Sequence, residues 1–91
     1  MERKRTRLEI IRDILEVIKS RNGKIKPTHI LYKSNLSHGM MEQYLSELIE
    51  KKLIEEIKLA KGKSYRVTEQ GLSYLSQYNL VKSFTDSFGL D

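Results

Sequence analysis

Four basic side chains surround one glycine in the second half of the chain: Lys58, Lys61, Lys63 and Arg66, with no acidic residue among them. Residues 1–33 hold a second excess, with ten basic residues against four acidic ones. Ammonium and guanidinium groups in such clusters bind phosphates and release the counterions of a polyanion. The pattern indicates a polyanionic partner, and the alternative is a lysine-rich surface that only keeps the protein in solution.

Groups that could form or break bonds are few. The chain has no cysteine, so it has no thiolate nucleophile, and its two histidines cannot complete a zinc site without carboxylates. Ser37 and His38 are neighbours, and adjacent residues of a helix do not face one another. No glycine-rich phosphate loop is present. We expect a protein that is not an enzyme and holds neither a metal ion nor a cofactor.

The composition fits one small domain. With 91 residues, of which 38% are hydrophobic, the chain can build a single core with little to spare. Its uninterrupted apolar runs are at most three residues long, which is far short of a membrane span. Because the absence of cysteine also suits a reducing compartment, we expect a cytoplasmic protein that does not contact a membrane.

Hydrophobic periodicity predicts three helices before any strand. Residues 5–21 carry two adjacent apolar rows, which indicates a helix covered from two sides. Pro27 suits the first turn of a short helix over 27–34. Ser37 is a good N-cap for a third helix over 38–52. The side chains expected to face the core include Leu8, Ile11, Ile30, Leu31, Tyr32, Met41, Leu45 and Leu48.

Alternating periodicity after the third helix predicts a two-stranded hairpin. The first strand would run over residues 53–59, the glycine turn over 60–63 and the returning strand over 64–67. Thr68 then caps a fourth helix, whose Leu72 and Leu75 we expect to pack on the core. This order of elements predicts a mainly α-helical α+β fold.

The fourth helix carries an apolar stripe beyond what so small a core can bury. Leu80, Val81, Phe84 and Phe88 continue this stripe towards the end of the chain. Burying each aromatic ring is worth ~1.5–3 kcal/mol, so leaving the rings in water is a liability. We expect a symmetric homodimer through these four residues, and the alternative is a tail that folds back on its own domain.

The order of a short helix, a tight turn, a longer helix and a basic hairpin is typical of the winged helix-turn-helix arrangement. The segment KPTHILYKSNLSHGMMEQYLSELIEKKLIEE of this chain resembles the central signature of that arrangement. The segment SYRVTEQGLSYL resembles its returning strand and the T-x-x-G junction that follows. Small archaeal winged-helix proteins resemble this chain in RLEIIRDIL and SNLSHGMMEQYL. They include predicted transcription regulators and Sulfolobus chromatin proteins that dimerise through a C-terminal coiled coil.

The resemblance implies a winged-helix domain over residues 1–79 and a helical dimerisation segment over 80–91. Lys52 departs from the pattern, because the family commonly has glycine there. The third helix must therefore end with a less favourable residue in the turn. The hairpin, in turn, is longer and more basic than in the chromatin proteins.

The resemblance also implies that the third helix enters the major groove of duplex DNA. Gln43 can bond an adenine edge through two hydrogen bonds, and His38 can reach a guanine acceptor or a phosphate. The acidic Glu42, Glu47 and Glu50 favour the alternative of a solvated helix face. The residues expected at the bases are Ser37, His38, Gly39, Met40, Gln43 and Ser46.

In the same family the hairpin is a wing that reaches the minor groove or the DNA backbone. The alternative is an exposed edge that lysines protect from aggregation. Arg3, Lys4, Arg5 and Arg7 are further backbone candidates unless they belong to a frayed tail. The residues expected at phosphates are Lys58, Lys61, Lys63 and Arg66 in the wing and Lys26, Thr28 and Lys33 around the second helix.

The function implied is duplex DNA binding by a homodimeric transcription regulator or chromatin-associated protein. Two alternatives stay open, because a fold does not fix a function. One is a winged helix that docks on another protein through its acidic third helix. The other is RNA binding through the same cationic surface.

Overall fold

The computed structural model describes residues 5–21 and 23–89, in which four helices and one two-stranded antiparallel sheet are present. The order of elements predicted from the sequence is confirmed, with each boundary within two residues, and so is the mainly α-helical winged-helix architecture. The elements are α1 (Arg7–Arg21), α2 (Pro27–Lys33), α3 (His38–Glu50), β1 (Ile54–Lys58), β2 (Lys63–Val67) and α4 (Glu69–Ser87).

Helix α1 forms the centre of the core. Its Ile14, Leu15 and Ile18 are completely buried, and the hairpin, α2 and α4 all pack against this helix. The helix begins with a reciprocal pair of hydrogen bonds: the Glu9 amide donates to Thr6 Oγ1 at 3.1 Å, and the Thr6 amide donates to Glu9 Oε1 at 3.0 Å. This capping box satisfies two backbone donors that the first turn leaves open.

The turn between α2 and α3 sets the angle of the helix pair. Asn35 has a φ of +53°, a left-handed conformation that asparagine tolerates better than most residues. The Leu36 amide donates to the Leu31 carbonyl at 3.0 Å and closes the turn. Ser37 Oγ then accepts the Met40 amide at 3.2 Å, which confirms the predicted N-cap of α3.

Arg5 braces this turn from the other side. Its guanidinium donates to the carbonyl oxygens of Ser34 at 2.6 Å and Asn35 at 3.1 Å, and it forms an ion pair with Asp13 at 2.7 Å. The carbonyls at the end of α2 lack partners within the helix, so a cation is well placed there. Arg5 therefore holds the fold together, rather than standing free for a DNA phosphate as the sequence suggested.

The hairpin has five residues in each strand, and Lys58 stands directly opposite Lys63 beside the turn. The connecting loop is closed by a hydrogen bond of 3.0 Å from the Leu59 amide to the Gly62 carbonyl, and Gly62 has a φ of +93°. Only glycine takes that conformation without strain. The predicted hairpin is confirmed, although Leu53 and Leu59 lie outside the first strand and Lys63 belongs to the second.

The junction into α4 follows the T-x-x-G pattern. Thr68 Oγ1 accepts the Gly71 amide at 3.1 Å, which confirms the predicted N-cap, and its hydroxyl donates to the Lys52 carbonyl at 2.6 Å. Lys52 has a φ of +63°, as expected of a residue that stands where glycine is usual. One threonine side chain thus ties the end of α3 to the start of α4.

Three side chains predicted to face the core are exposed instead: Tyr32 by 79%, Leu8 by 56% and Leu72 by 42%. A helix of seven residues turns only a narrow face inward, and in α2 the completely buried Ile30 occupies it. Leu8 precedes Ile10, the first buried position of α1, and Leu72 lies beside the face of α4 that buries Gly71 and Leu75. The inward prediction was wrong for all three.

Candidate nucleic-acid interface

The outward face of α3 is polar and open to solvent. Because Met41, Leu45 and Leu48 are buried in the core, the residues about half a turn away, Gly39 and Gln43 among them, lie on the opposite face. The structure leaves exposed all six residues expected at base edges, namely Ser37, His38, Gly39, Met40, Gln43 and Ser46. Their contact with bases stays a prediction.

A groove runs along one side of α3, between this helix and the hairpin. It has a volume of about 410 Å³, and its walls include His38 and Ser46 of α3, Lys63 of β2 and Pro27 at the start of α2. The groove therefore places the N-terminal half of α3, the hairpin and the beginning of α2 on one continuous surface. These three elements carry every base and phosphate contact that the sequence suggested outside the N-terminal residues.

On its other side α3 meets Arg7, whose guanidinium forms an ion pair with Glu47 and lies 5.7 Å from the centre of the Tyr44 ring. The Glu47 carboxylate raises the pKa of Arg7 above its usual value. Arg7 was one of the candidates for a phosphate contact or a frayed tail, and in the structure it neutralises one of the three glutamates of α3. These two residues are far apart in the chain, and no local pattern signals the pair. Arg3 and Lys4 lie outside the described residues.

The four wing cations are all exposed, but they differ in their neighbours. Lys63 Nζ lies 3.6 Å from the carboxylate of Glu56, and Arg66 is paired with Glu55. Both acids belong to β1, so these two charges are balanced within the hairpin. The two remaining cations form no ion pair in the part of the chain that the structure describes, and they are Lys58 and Lys61.

A second set of cations surrounds the start of α2. The predicted phosphate contacts Lys26 and Thr28 are exposed there, and so is Lys33 at the end of the helix. Lys26 and Thr28 line a cavity of about 350 Å³ together with Arg21 and His29, and no local pattern predicts that these side chains meet. Arg21 reaches this place because α1 ends where α2 begins.

Ser64 fixes the hairpin to the connection between α1 and α2. Its hydroxyl donates to the Gly23 carbonyl at 2.6 Å and accepts the Ile25 amide at 2.8 Å. Ser64 is buried, and both bonds satisfy backbone groups that would otherwise lie unpaired inside the protein. No local pattern predicts this role, because a serine in a strand indicates no particular partner.

The four residues expected at a dimer interface are exposed along the distal part of α4, namely Leu80, Val81, Phe84 and Phe88. The rings of Phe84 and Phe88 contact one another with centres 4.9 Å apart, and they do not fold back on the domain. Beside them lies a mostly apolar groove of about 350 Å³ lined by Leu8, Tyr78 and Val81. Helix α4 runs unbroken through residues 79 and 80, and the division of the chain at that point stays a prediction.

Two negative findings concern the residues that the structure describes. Across 5–21 and 23–89, no group of three or more histidine, aspartate or glutamate side chains is arranged to hold a metal ion. No helix within these ranges combines the length and apolar character needed to cross a membrane.

Comparison with known proteins places this architecture in context. The chain is similar to the DNA-binding protein Sso10a-2 from Sulfolobus solfataricus, with a TM-score of 0.78 and 21% sequence identity over 93% of this chain and 87% of that one. It is also similar to the PcaV transcriptional regulator from Streptomyces coelicolor in complex with its natural ligand. There the TM-score is 0.77 and the identity 13%, over 88% of this chain and 58% of the regulator.

No curated protein matches the sequence. The sequence profile of a protein family does match it, and that family is described as winged helix-turn-helix. The match covers residues 4–86, which include α1, α2, α3, the hairpin and all of α4 except its last residue. The chain belongs to the winged helix-turn-helix family.

Proposed function

We propose that this protein binds duplex DNA as a homodimer and acts as a transcription regulator or a chromatin-associated protein. The observation that carries the proposal is the exposed polar face of α3, which shares a groove with the hairpin and the start of α2, each of which carries a set of cations without ion-pair partners among the described residues. One set is at the tip of the hairpin and the other around the start of α2. Sso10a-2, to which the chain is similar over most of its length, is a DNA-binding protein.

In this proposal α3 enters the major groove. Gln43 is exposed at the middle of the outward face and can accept from and donate to an adenine edge at once. A β-carbon built on Gly39 would meet nothing within 4 Å, so the backbone there can approach DNA closely. His38 and Ser46 flank these positions on the side of the hairpin.

Phosphate contacts supply most of the affinity. Lys58 and Lys61 are the wing cations that no carboxylate of the described chain neutralises, and like charges opposite one another, as in Lys58 and Lys63, repel. An anion between the strand ends relieves that repulsion. Lys26, Thr28 and Lys33 hold the backbone around α2. Glu42 and Glu50 oppose binding, so selection among base sequences is modest and the charge of the flanks dominates.

The second copy binds through the exposed apolar stripe of α4. Phe84 and Phe88 are 61% and 64% exposed. Apolar surface of this kind is unfavourable in water unless a partner covers it. The mostly apolar groove between the start of α1 and α4 gives these rings a place on the partner. A symmetric pair buries both copies of the stripe with one type of contact, as closed dimers do.

A competition experiment tests DNA binding against the two alternatives. A labelled random duplex is titrated with the full chain at several salt concentrations, and unlabelled duplex or single-stranded RNA is then added as competitor. We expect non-specific dissociation constants of ~10⁻⁴–10⁻⁶ M that rise steeply with salt, and effective competition by the duplex only. Stronger competition by RNA would favour RNA binding. Failure to bind either nucleic acid at low salt would favour a protein-docking module.

A further inference from the structure

We propose that the cavity between the end of α1 and the start of α2 binds a DNA phosphate and that His29 takes up a proton when the phosphate enters. This inference rests on the proposed DNA binding and adds a site and a pH dependence to it. The residues that form the site are Arg21, Lys24, Lys26 and His29.

The contact between Arg21 and His29 defines the starting state. The Arg21 guanidinium lies 2.8 Å from Nε2 of the imidazole. A guanidinium can only donate hydrogen bonds, so Nε2 must accept, and the imidazole is therefore neutral with its proton on Nδ1. Protonation of Nε2 breaks this hydrogen bond and places two positive charges side by side.

Among the described residues, the groups that line the cavity around His29 or shift its pKa include cations and no carboxylate. Arg21 faces it from α1, Lys24 and Lys26 from the connection, and Lys33 from its own helix, while Thr28 and Tyr32 supply hydroxyl groups. Partial burial lowers the pKa of His29, and the charges of Arg21 and Lys33 lower it further. In the free protein a positive charge on His29 is therefore disfavoured.

Arg21 is unusual among the arginines of the chain. Of the arginines that the structure describes, Arg5, Arg7, Arg12 and Arg66 are each paired with a carboxylate, and Arg21 is not. Among the described residues, the one polar contact of its guanidinium is the neutral imidazole. A group with several hydrogen-bond donors and a full charge, facing an open cavity with three lysines nearby, has the chemistry that a phosphodiester oxygen requires.

Phosphate entry reverses the balance at His29. The phosphate oxygen accepts from Arg21 in place of the imidazole, and its negative charge favours the protonated ring, which becomes a second donor. The pKa of His29 is thus lower in the free protein and higher in the complex. Between those two values binding takes up a proton, so affinity rises as pH falls. One proton per protomer limits the gain to ~tenfold per pH unit.

The chain offers a matched control, since it has two histidines. His38 lies on α3, outside this cavity, and its Nδ1 is 3.7 Å from the carboxylate of Glu42. His29→Gln keeps an acceptor for Arg21 and cannot take up the proton. His38→Gln removes the other imidazole and leaves the cavity intact. Because His38 also belongs to the α3 face proposed to contact DNA, this variant is compared by the change of its affinity with pH and not by the affinity itself.

The experiment measures affinity for a random 20-base-pair duplex from pH 5.5 to 8.0 at constant salt for the full chain and both variants. We expect the parent and His38→Gln to gain affinity several-fold towards low pH, and His29→Gln to lose most of that gain. Proton NMR of the imidazole signals, assigned with the two variants, should show that duplex DNA raises the pKa of His29.

Equal pH dependence in the parent and His29→Gln, with no change in the His29 titration on binding, would overturn the inference while leaving DNA binding intact. A chain that binds no duplex at any pH would instead contradict the proposed function. Arg21→Gln separates the roles further: it should raise the pKa of His29 in the free protein and weaken binding at pH 8.0, where His29 is neutral. Unchanged affinity of this variant would also count against the site.

Discussion

The carbonyl oxygen of Leu53 lies so close to Gly71 that a β-carbon on residue 71 would stand 2.2 Å from it. The glycine of the T-x-x-G junction is therefore required by packing, since its φ is not in the left-handed region. Thr68 caps α4 three residues earlier, and its own amide donates to the same Leu53 carbonyl at 3.1 Å. The cap and the close approach together seat α4 on the segment that joins α3 to the hairpin.

Gly71→Ala should destabilise the protein by ~1–3 kcal/mol, the usual cost of overpacking, because the atom in the way belongs to the backbone and cannot rotate aside. Urea unfolding followed by circular dichroism measures the change. Gly39→Ala is the matched control: it lies in a helix with free space around it, so it should stabilise by ~0.5–1 kcal/mol. Equal stability of the two variants would contradict this account.

Lys52→Gly should stabilise the protein by up to ~1 kcal/mol. A left-handed conformation costs a lysine ~1–2 kcal/mol, which glycine avoids. Part of this gain is offset because glycine has greater conformational freedom in the unfolded chain. Lys51→Gly tests the specificity of the effect. Lys51 has a φ of −81°, so the same replacement should weaken the protein slightly. Thermal unfolding of both variants decides the matter, and a loss of stability in Lys52→Gly would oppose the prediction.

The variant Lys58→Ala/Lys61→Ala should weaken binding to all duplexes alike. It should also flatten the slope of log affinity against log salt by ~2 per protomer, because each neutralised phosphate contributes ~0.9 to that slope. The variant Lys51→Ala/Lys52→Ala loses the same charge beside the start of α4, where Gln70 contacts the Lys51 carbonyl, and should change the slope little. Titration of each variant at several salt concentrations makes the comparison. Parallel slopes for the two double variants would show that the wing does not hold phosphate.

Gln43→Ala should leave the salt dependence unchanged and relax the preference at one or two base positions, at a cost of ~1–3 kcal/mol if the contact has two hydrogen bonds. Selection from a randomised duplex pool, followed by sequencing, shows which positions the parent prefers and which of these the variant no longer distinguishes. Gln70→Ala, at the start of α4, is a control outside both the proposed DNA contacts and the proposed dimer interface. Identical preferences in parent and Gln43→Ala would exclude a reading role for this side chain.

Phe84→Ser/Phe88→Ser should convert the dimer to a monomer and reduce duplex affinity, because two half-sites then no longer bind as one unit. The folded domain should keep its stability, since both rings are exposed in the single chain. Sedimentation equilibrium at increasing concentration measures the mass of parent and variant. A parent that stays monomeric at high micromolar concentration would refute the dimer.

The sequence predicted the elements of this fold because each carries a local signal. The apolar rows of α1, the caps Ser37 and Thr68, and the glycine of the hairpin turn all act within a few residues. The predictions that were wrong concern side chains at the margin of the core. Tyr32 and Leu72 have the right spacing, but periodicity does not show how wide the core is.

The residue types of the candidate site were predictable from the sequence, but the contacts between its side chains were not. The cationic wing and the polar face of α3 could be named from residue types, whereas the partners of those charges could not. Arg7 with Glu47, Arg21 with His29, and Ser64 with the backbone at Gly23 are contacts between segments separated in the chain. Such pairs depend on how the helices cross, and they decide which cations remain free for an anion.

One turn of α1 serves two other helices at once. Arg7 holds α3 through Glu47, and the carbonyl of the next residue, Leu8, accepts the Tyr74 hydroxyl of α4 at 3.1 Å. The helix proposed to face the bases and the helix proposed to join two copies are therefore both attached to the same turn of α1. In a dimer built this way the spacing of the two half-sites is a fixed dimension of the folded chains. Inserting ~5 base pairs, half a turn of DNA, would rotate one half-site to the far side of the duplex, out of reach.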